Sequence, residues 1–126
     1  MINEPGLTLA YIGDAVYELR IREYLISRGT TNVNSLHNSA IKYTSALAQS
    51  KIIEALFDTL SEEEMNYFKK GRNATTSHKP KSASLKEYRL STGFESLIGY
   101  LYLKKSIERL DEIINFSIEY INKENC

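Results

Sequence analysis

Hydrophobic residues recur at intervals of three and four along most of this 126-residue chain, and the strict alternation typical of β-strands is nearly absent. Such spacing predicts helices, and only two prolines and six glycines interrupt it. We therefore expect an all-α bundle that forms a single domain over residues 1–126. The predicted helical regions run from about Leu7 to Ser27, from Asn32 or Asn34 to about Phe57, from Ser61 to about Gly71, from Leu85 to Lys104 and from Ile107 to Ile121.

Several helix ends are marked by residues that suit caps. Gly29 follows Arg28 at the end of the first helix, where a glycine readily adopts the left-handed backbone of a C-terminal cap. The sequence SEEE at positions 61–64 places an acid three residues after a serine, which is the pattern of a capping box. The Asn, Ser, Thr and Pro residues of positions 73–84 predict an exposed loop.

The bulk composition excludes several classes of protein. Cys126 is the only cysteine, so neither an intramolecular disulfide framework nor a cysteine-rich zinc site is expected. The first residues, MINEPG, lack the basic and apolar segments of a signal peptide, and no apolar run is long enough to cross a membrane. We therefore expect a cytoplasmic protein with no membrane partner.

The first predicted helix carries an acid among apolar residues. Drawn at 100° per residue, Asp14 falls between Leu7, Ile21 and Leu25, while a second apolar face lies on the other side of the helix. A helix that is apolar on two faces is expected to be central, and a buried carboxylate is costly unless it is paired. Gly13 lowers helix propensity by about 1 kcal/mol, a cost usually explained by close approach of another helix.

A second acid has the same setting in the helix predicted over residues 85–104. Glu95 lies opposite the apolar stripe of that helix, and Gly99 follows it by one turn. Two carboxylates on two core helices, each beside a glycine, can converge on Mg²⁺, which favours carboxylates and retained waters. The alternative is that each acid caps a helix or pairs with a core Arg or Lys. Glu18 is most simply a surface partner of Arg22, although it also lies one turn from Asp14.

The charge distribution indicates a polyanionic partner, although the formal net charge of the chain is zero. Residues 69–89 contain seven basic residues and one acid, a local charge of +6 that the rest of the chain offsets. The alternative for any charge run is a solvated face.

Four segments of the chain resemble the ribonuclease III catalytic domain. YIGDAVYE at positions 11–18 and TGFESLIGYLYL at positions 92–103 are similar to its two signature segments. SLHNSAIKYTSALAQ at positions 35–49 and FKKGRNA at positions 68–74 are similar to the middle region of the small form of this family, which lacks a double-stranded-RNA-binding domain. The resemblance covers nearly the whole chain, with the segments in order.

The resemblance implies a ribonuclease III endonuclease-domain helical bundle, a homodimer, and Mg²⁺-dependent hydrolysis of double-stranded RNA. For the small form it also implies maturation of precursor 23S ribosomal RNA, with possible assistance from a ribosomal protein that shapes the RNA. The catalytic aspartate of the first segment falls on Asp14, and the metal-binding glutamate of the second falls on Glu95. Two further acids of the full-length enzymes fall on Ala10 and Thr92, a departure that the small form shares and that leaves the number of metal ions open.

Phosphate contacts are expected from the basic region, because double-stranded RNA is recognised mainly by shape, phosphates and 2′-hydroxyls. His37 is expected to be a partly buried structural residue. The homodimer interface is expected on the first helix and near residues 99–103. Two other functions stay open, namely a catalytically silent RNA-binding or ribosome-assembly module and a helical interaction protein. The residues expected to contact RNA are Lys69, Lys70, Arg72, Asn73, His78, Lys79 and Lys81.

Overall fold

The structure, a computed structural model, describes residues 2–74 and 83–125. Over these residues it contains six α-helices, one short 3₁₀ turn and no β-strand. This confirms the all-α class that the hydrophobic spacing predicts. The helices are α1 (Gly6–Ser27), α2 (Val33–Thr44), α3 (Ala46–Leu56), α4 (Glu62–Ala74), α5 (Leu85–Leu103) and α6 (Ile107–Glu124), with the 3₁₀ turn at Phe57–Thr59.

Helix α5 is the centre of the bundle, and most of its residues are buried. Helices α1, α3 and α4 pack around it, and α6 closes the remaining side. Aromatic rings fill the layer between α5 and its neighbours: Phe94 of α5 meets Tyr17 of α1 edge-on, with ring centroids 5.1 Å apart. Phe68 of α4 is fully buried in the same core. The predicted site residue Glu95 therefore lies on the central helix, and Asp14 lies on α1, which packs against it.

Two glycines allow the backbones of α1 and α5 to touch. A Cβ atom at Gly13 would overlap the carbonyl oxygen of Glu95, and one at Gly99 would overlap the carbonyl oxygen of Leu9. These obstacles are backbone atoms of packed helices, so neither can move aside cheaply. The close helix approach that the two glycines predict is thus confirmed, and it sets the spacing between the residues that flank them.

Most helix ends lie where their caps predict. Ser61 and Glu64 form the expected reciprocal capping box, with both hydrogen bonds 3.0 Å long. Gly29 has a φ of +94° after the first helix. Helix α4, however, continues to Ala74 instead of ending near Gly71, because that glycine packs against Thr92 and Ser96 of α5 and is not a cap. The predicted loop therefore begins later than position 73, and most of it lies outside the described residues.

The region predicted as one helical stretch from residue 32 to 57 is two helices that meet at Ser45. This residue has an extended backbone, and its side chain accepts a 3.1 Å hydrogen bond from the Ala48 amide, so it begins α3. Asn32 caps α2 in the same way, through a 3.0 Å bond from the Ser35 amide. The break directs α3 toward α5, and Gln49 in the first turn of α3 contacts Glu95 of α5.

Each of the two predicted apolar faces of α1 is only partly buried. Leu9, Ile21 and Leu25 lie in the core, whereas Leu19 and Ile26 are 58% and 59% exposed. The expectation that α1 is covered on both sides is therefore wrong for the isolated chain. None of the described helices is long and apolar enough to cross a membrane.

Candidate active site

Asp14 and Glu95 meet where α1 crosses α5. Each side chain lies beside the glycine contact of its helix, and the two carboxyl groups are joined by a hydrogen bond. Asp14 itself is exposed to solvent, which corrects the expectation that it is buried in the core. It lies at the rim of the crossing, and Glu95 lies deeper and is half-buried. The arrangement is a carboxylate pair with one member open to solvent.

The surroundings of Glu95 disfavour its ionised form. Burial, followed by the charge and hydrogen bond of Asp14, raises the pKa of Glu95 to about 9. Glu18 adds a smaller effect in the same direction, and a hydrogen bond from Gln49 acts in the opposite direction. These surroundings therefore favour the protonated form of Glu95 at neutral pH.

No basic side chain among the described residues forms an ion pair with either carboxylate. The ion pairs of the described helices lie elsewhere, for example between Arg109 and Glu64 at 2.9 Å and between Arg22 and Glu18 at 3.3 Å. This removes the alternative in which Asp14 and Glu95 only pair with a core Arg or Lys in this part of the chain. When both carboxyl groups are ionised, the pair carries two negative charges that no basic side chain of the described residues offsets and that a divalent cation would offset.

The donor set fits a hard cation that keeps several waters. In residues 2–74 and 83–125, no three His, Cys, Asp or Glu side chains are grouped so as to hold a metal ion. Two carboxylates, one of them open to solvent, suit Mg²⁺, which is commonly held by one or two carboxylates together with water and substrate phosphates. They do not suit a closed structural site such as that of Zn²⁺.

Ala10 and Thr92 add no oxygen ligand to the pair. Both are buried, and the hydroxyl of Thr92 donates a 2.9 Å hydrogen bond to the carbonyl of Tyr88 in its own helix. Glu18 is held by Arg22 on the surface of α1, as the sequence predicts. Of the acids of the described residues, Asp14 and Glu95 are therefore the two that meet directly, and Glu18 acts on Glu95 only through its charge.

Gln49 and Ser91 complete the surroundings of Glu95, and Gln49 was not predicted from the sequence. The Gln49 side-chain amide donates to Glu95 Oε2 over 3.4 Å, and Ser91 donates to the Gln49 amide oxygen over 2.5 Å. Gln49 is only 1% exposed. The sequence did carry one indication of its role: Gln49 is a polar residue on the apolar stripe of α3, one turn before Ile52 and Ile53.

The described part of the basic region lies at the end of α4 and in the first turns of α5, and the predicted RNA contacts within it lie at the end of α4. Lys69, Lys70 and Asn73 are exposed, and Lys70 lies 5.5 Å from the centre of the Tyr67 ring. Arg72 is half-buried, lies over Phe68 and donates to Asn73 over 3.1 Å. The predicted RNA contacts His78, Lys79 and Lys81 lie outside the described residues.

The end of α4 lies near the carboxylate pair. Gly6, at the start of α1, packs against the backbone of Lys70 and Gly71. Asp14 is eight residues further along α1, which corresponds to about 12 Å along the helix axis. His37, in contrast, lies on the other side of Asp14, with Glu18 and Arg22 around a groove between α1 and α2. It is exposed, so the expectation that it is a partly buried structural residue is wrong.

Comparisons with known proteins identify the fold and the family. The family model of the ribonuclease III domain matches residues 7–106. A Mini-ribonuclease 3 of Symbiobacterium thermophilum is 47% identical over 119 residues, which cover 94% of this chain and 92% of that protein. A Mini-ribonuclease 3 of Enterococcus faecalis is 48% identical over 122 residues, which cover 95% and 92%.

A solved structure agrees with these matches. A crystal structure of a protein from Fusobacterium nucleatum superposes with a TM-score of 0.84, at 35% sequence identity and with 93% of each chain covered. A helical domain with this likeness throughout its length is a nuclease domain of the ribonuclease III type.

The chain belongs to the ribonuclease III family. Within that family it belongs to the Mini-ribonuclease III group, because its relatives of similar length are Mini-ribonuclease 3 proteins. It is an endoribonuclease for double-stranded RNA, as the family assignment shows. This confirms the resemblance that its two signature segments indicate.

Proposed function

We propose that the protein cleaves double-stranded RNA by Mg²⁺-dependent hydrolysis at Asp14 and Glu95. The observation that carries this proposal is the carboxylate pair at the α1–α5 crossing, which has no basic partner among the described residues. Family membership supports a divalent metal in general. The choice of Mg²⁺ rests on the donor chemistry of the pair.

The two carboxylates have different tasks in this proposal. Asp14 is exposed and is the member that an approaching phosphate reaches first, whereas Glu95 is held deeper by α5 and the Gln49 amide. Both would hold the cation, and the proton on Glu95 would leave to solvent as that carboxyl becomes ionised. When bound, Mg²⁺ supplies activation of the attacking water and neutralisation of charge on the phosphate.

The proposal is tested by incubating the purified protein with long double-stranded RNA in Mg²⁺ and in excess EDTA. We expect cleavage in Mg²⁺ and none in EDTA, with activity restored when Mg²⁺ is added back. Single-stranded RNA of the same sequence is the matched substrate control. Undiminished cleavage in EDTA would contradict the metal-dependent mechanism, and binding without cleavage would instead favour a catalytically silent RNA-binding module.

The substrate in the cell, on this proposal, is precursor 23S ribosomal RNA, and a ribosomal protein assists cleavage by shaping that RNA. What supports this is the similarity to Mini-ribonuclease 3 proteins over almost the full length of each. A ribosomal RNA substrate also implies a cytoplasmic location. Incubation with a precursor 23S transcript is expected to give cuts at defined positions in its double-stranded stem.

We further propose that the end of α4 binds RNA phosphates. Replacing Lys69 and Lys70 together with Gln is expected to weaken binding and to reduce the slope of log affinity against log salt by about 2, roughly one unit for each lost phosphate contact. The measurement is a binding titration at several salt concentrations with a double-stranded RNA, in EDTA so that no cleavage occurs. Lys123→Gln, an exposed change at the end of α6, is the control. An unchanged slope in the double variant would show that this face is only solvated.

A homodimer fits the exposed apolar side chains of the crossing. Leu7 and Tyr11 on α1 are 44% and 81% exposed, and Tyr102 and Leu103 on α5 are 44% and 37% exposed. Because Gly99 abuts the backbone of Leu9, these side chains lie at the same end of the two helices. A two-fold dimer through this surface would place two active sites on one duplex, one for each strand. Gel filtration is expected to show twice the 14.4 kDa mass of one chain.

A further inference from the structure

Gln49 is a buried amide whose two ends have different partners. Its nitrogen donates to Glu95 Oε2 over 3.4 Å, and its oxygen accepts from the Ser91 hydroxyl over 2.5 Å. The residue is 1% exposed and Ser91 is 7% exposed, so neither has water as an easy alternative partner. A polar group in this position is retained at the expense of apolar packing in the core.

We propose that Gln49 is a positioning residue that holds Glu95 in the orientation required for Mg²⁺ binding. This inference rests on the proposed function, since it assumes that Glu95 contacts the cation. Gln49 is not a catalytic residue, because it acts on the ion and the RNA only through the Glu95 carboxylate.

The Ser91 hydroxyl determines which end of the amide faces Glu95. Since Ser91 donates to the amide oxygen, the NH₂ group is left facing the carboxylate. One carboxylate oxygen of Glu95, Oε2, is thereby occupied, and Oε1 takes no part in the bond to Gln49. Fixing the carboxylate in this way removes rotational freedom that cation binding would otherwise have to restrict.

A neutral amide suits this position better than a basic residue. An Arg or Lys beside Glu95 would orient the carboxylate but would also neutralise it and compete with the cation. The amide supplies the hydrogen bond without a positive charge, and the 3.4 Å bond is expected to shorten when Glu95 becomes fully charged. A neutral amide at Gln49 is therefore compatible with metal binding by the neighbouring Glu95 carboxylate.

The helix break at Ser45 brings Gln49 to this place. Ser45 caps the start of α3. In the first turn of this helix, the main-chain N–H of Gln49 donates to the Ser45 carbonyl over 2.9 Å. A continuous helix from α2 would carry residue 49 in another direction. The extended backbone at Ser45 is therefore part of the support for the site.

The test measures Mn²⁺ binding to the purified, RNA-free protein by isothermal titration calorimetry, with the Mg²⁺ concentration for half-maximal cleavage as a second readout. Gln49→Met keeps the length of the side chain and removes its hydrogen bonds. We expect about tenfold weaker Mn²⁺ binding and a similar rise in the Mg²⁺ requirement, the size of effect that outer-sphere partners of metal ligands have. Ser91→Ala should give a smaller loss in the same direction, because the amide becomes free to rotate.

Ser50→Ala is the matched control. Ser50 is 3% exposed on the same helix, and its hydroxyl donates to the Leu47 carbonyl over 2.7 Å and to no side chain of the described residues. Its metal affinity should equal that of the wild type. A folded Gln49→Met protein with wild-type Mn²⁺ affinity would overturn the inference, as would an equal loss in Ser50→Ala. If Gln49→Met does not fold, the Mn²⁺ affinity of Ser91→Ala is the test, and a folded Ser91→Ala protein with wild-type affinity would overturn the inference. A wild-type protein that binds no Mn²⁺ would instead overturn the proposed metal site itself.

Discussion

Asp14→Asn is expected to lose cleavage of double-stranded RNA by about 10³-fold or more, which corresponds to roughly 4 kcal/mol of transition-state stabilisation. The change keeps the shape of the side chain and removes the charge of the more accessible member of the carboxylate pair. Asp14 is exposed, and no ion pair of the described residues includes it, so the fold should be unaffected. Initial cleavage rates at saturating Mg²⁺ and RNA measure the effect.

Asp58→Asn is the matched control, because Asp58 is an exposed acid in the 3₁₀ turn and lies outside the proposed site. It should cleave at the wild-type rate. Asp14→Asn should also bind double-stranded RNA in EDTA as tightly as the wild type, since the expected phosphate contacts lie at the end of α4. An Asp14→Asn protein that retains a tenth or more of the activity would place the metal elsewhere.

Gly13→Ala is expected to destabilise the protein by about 3 kcal/mol or more. The added methyl group would overlap the carbonyl oxygen of Glu95, which belongs to the backbone of the central helix. Relief of this overlap requires α1 and α5 to separate, and separation would also pull Asp14 away from Glu95. Activity should therefore fall together with the free energy of unfolding, and Gly99→Ala should behave in the same way. Urea unfolding followed by circular dichroism measures the loss.

Gly29→Ala separates this packing effect from an effect of glycine removal in general. No atom lies within 4 Å of a Cβ at Gly29, but its φ is +94°, so the substitution should cost only about 1–2 kcal/mol of backbone strain. Cleavage should stay at the wild-type level, because Gly29 follows the far end of α1. If Gly13→Ala were as stable as the wild type, the close crossing of α1 and α5 would be wrong.

The sequence predicted those features that depend on neighbours along the chain. The capping box at Ser61 and Glu64 and the C-terminal cap at Gly29 need only residues within one turn, and both have the expected form. Gly13 and Gly99 were also informative, since a glycine within a helix has a cost that close packing explains. Spacing alone therefore allowed the two acids to converge, but it left open that each caps a helix or pairs with a core Arg or Lys.

Features that depend on tertiary packing were not accessible in this way. Periodicity shows that α1 has two apolar faces but not how much of each face other helices cover, so Asp14, on the face of Ile21 and Leu25, was wrongly expected to be buried. Gln49 was missed because its role requires the break at Ser45, and serine is as common in loops as at helix starts. Gly71 was read as a helix end because its contact with α5 is invisible from its neighbours along the chain.

The most direct test of the central claim, that Asp14 and Glu95 together hold the divalent cation, is anomalous diffraction from crystals soaked in MnCl₂, since Mn²⁺ accepts the same oxygen ligands as Mg²⁺. The account predicts an anomalous peak between the two carboxylates at the α1–α5 crossing, and no such peak in crystals of Asp14→Asn. A peak bound at other residues, with the Asp14 and Glu95 side chains still hydrogen-bonded to each other, would contradict it.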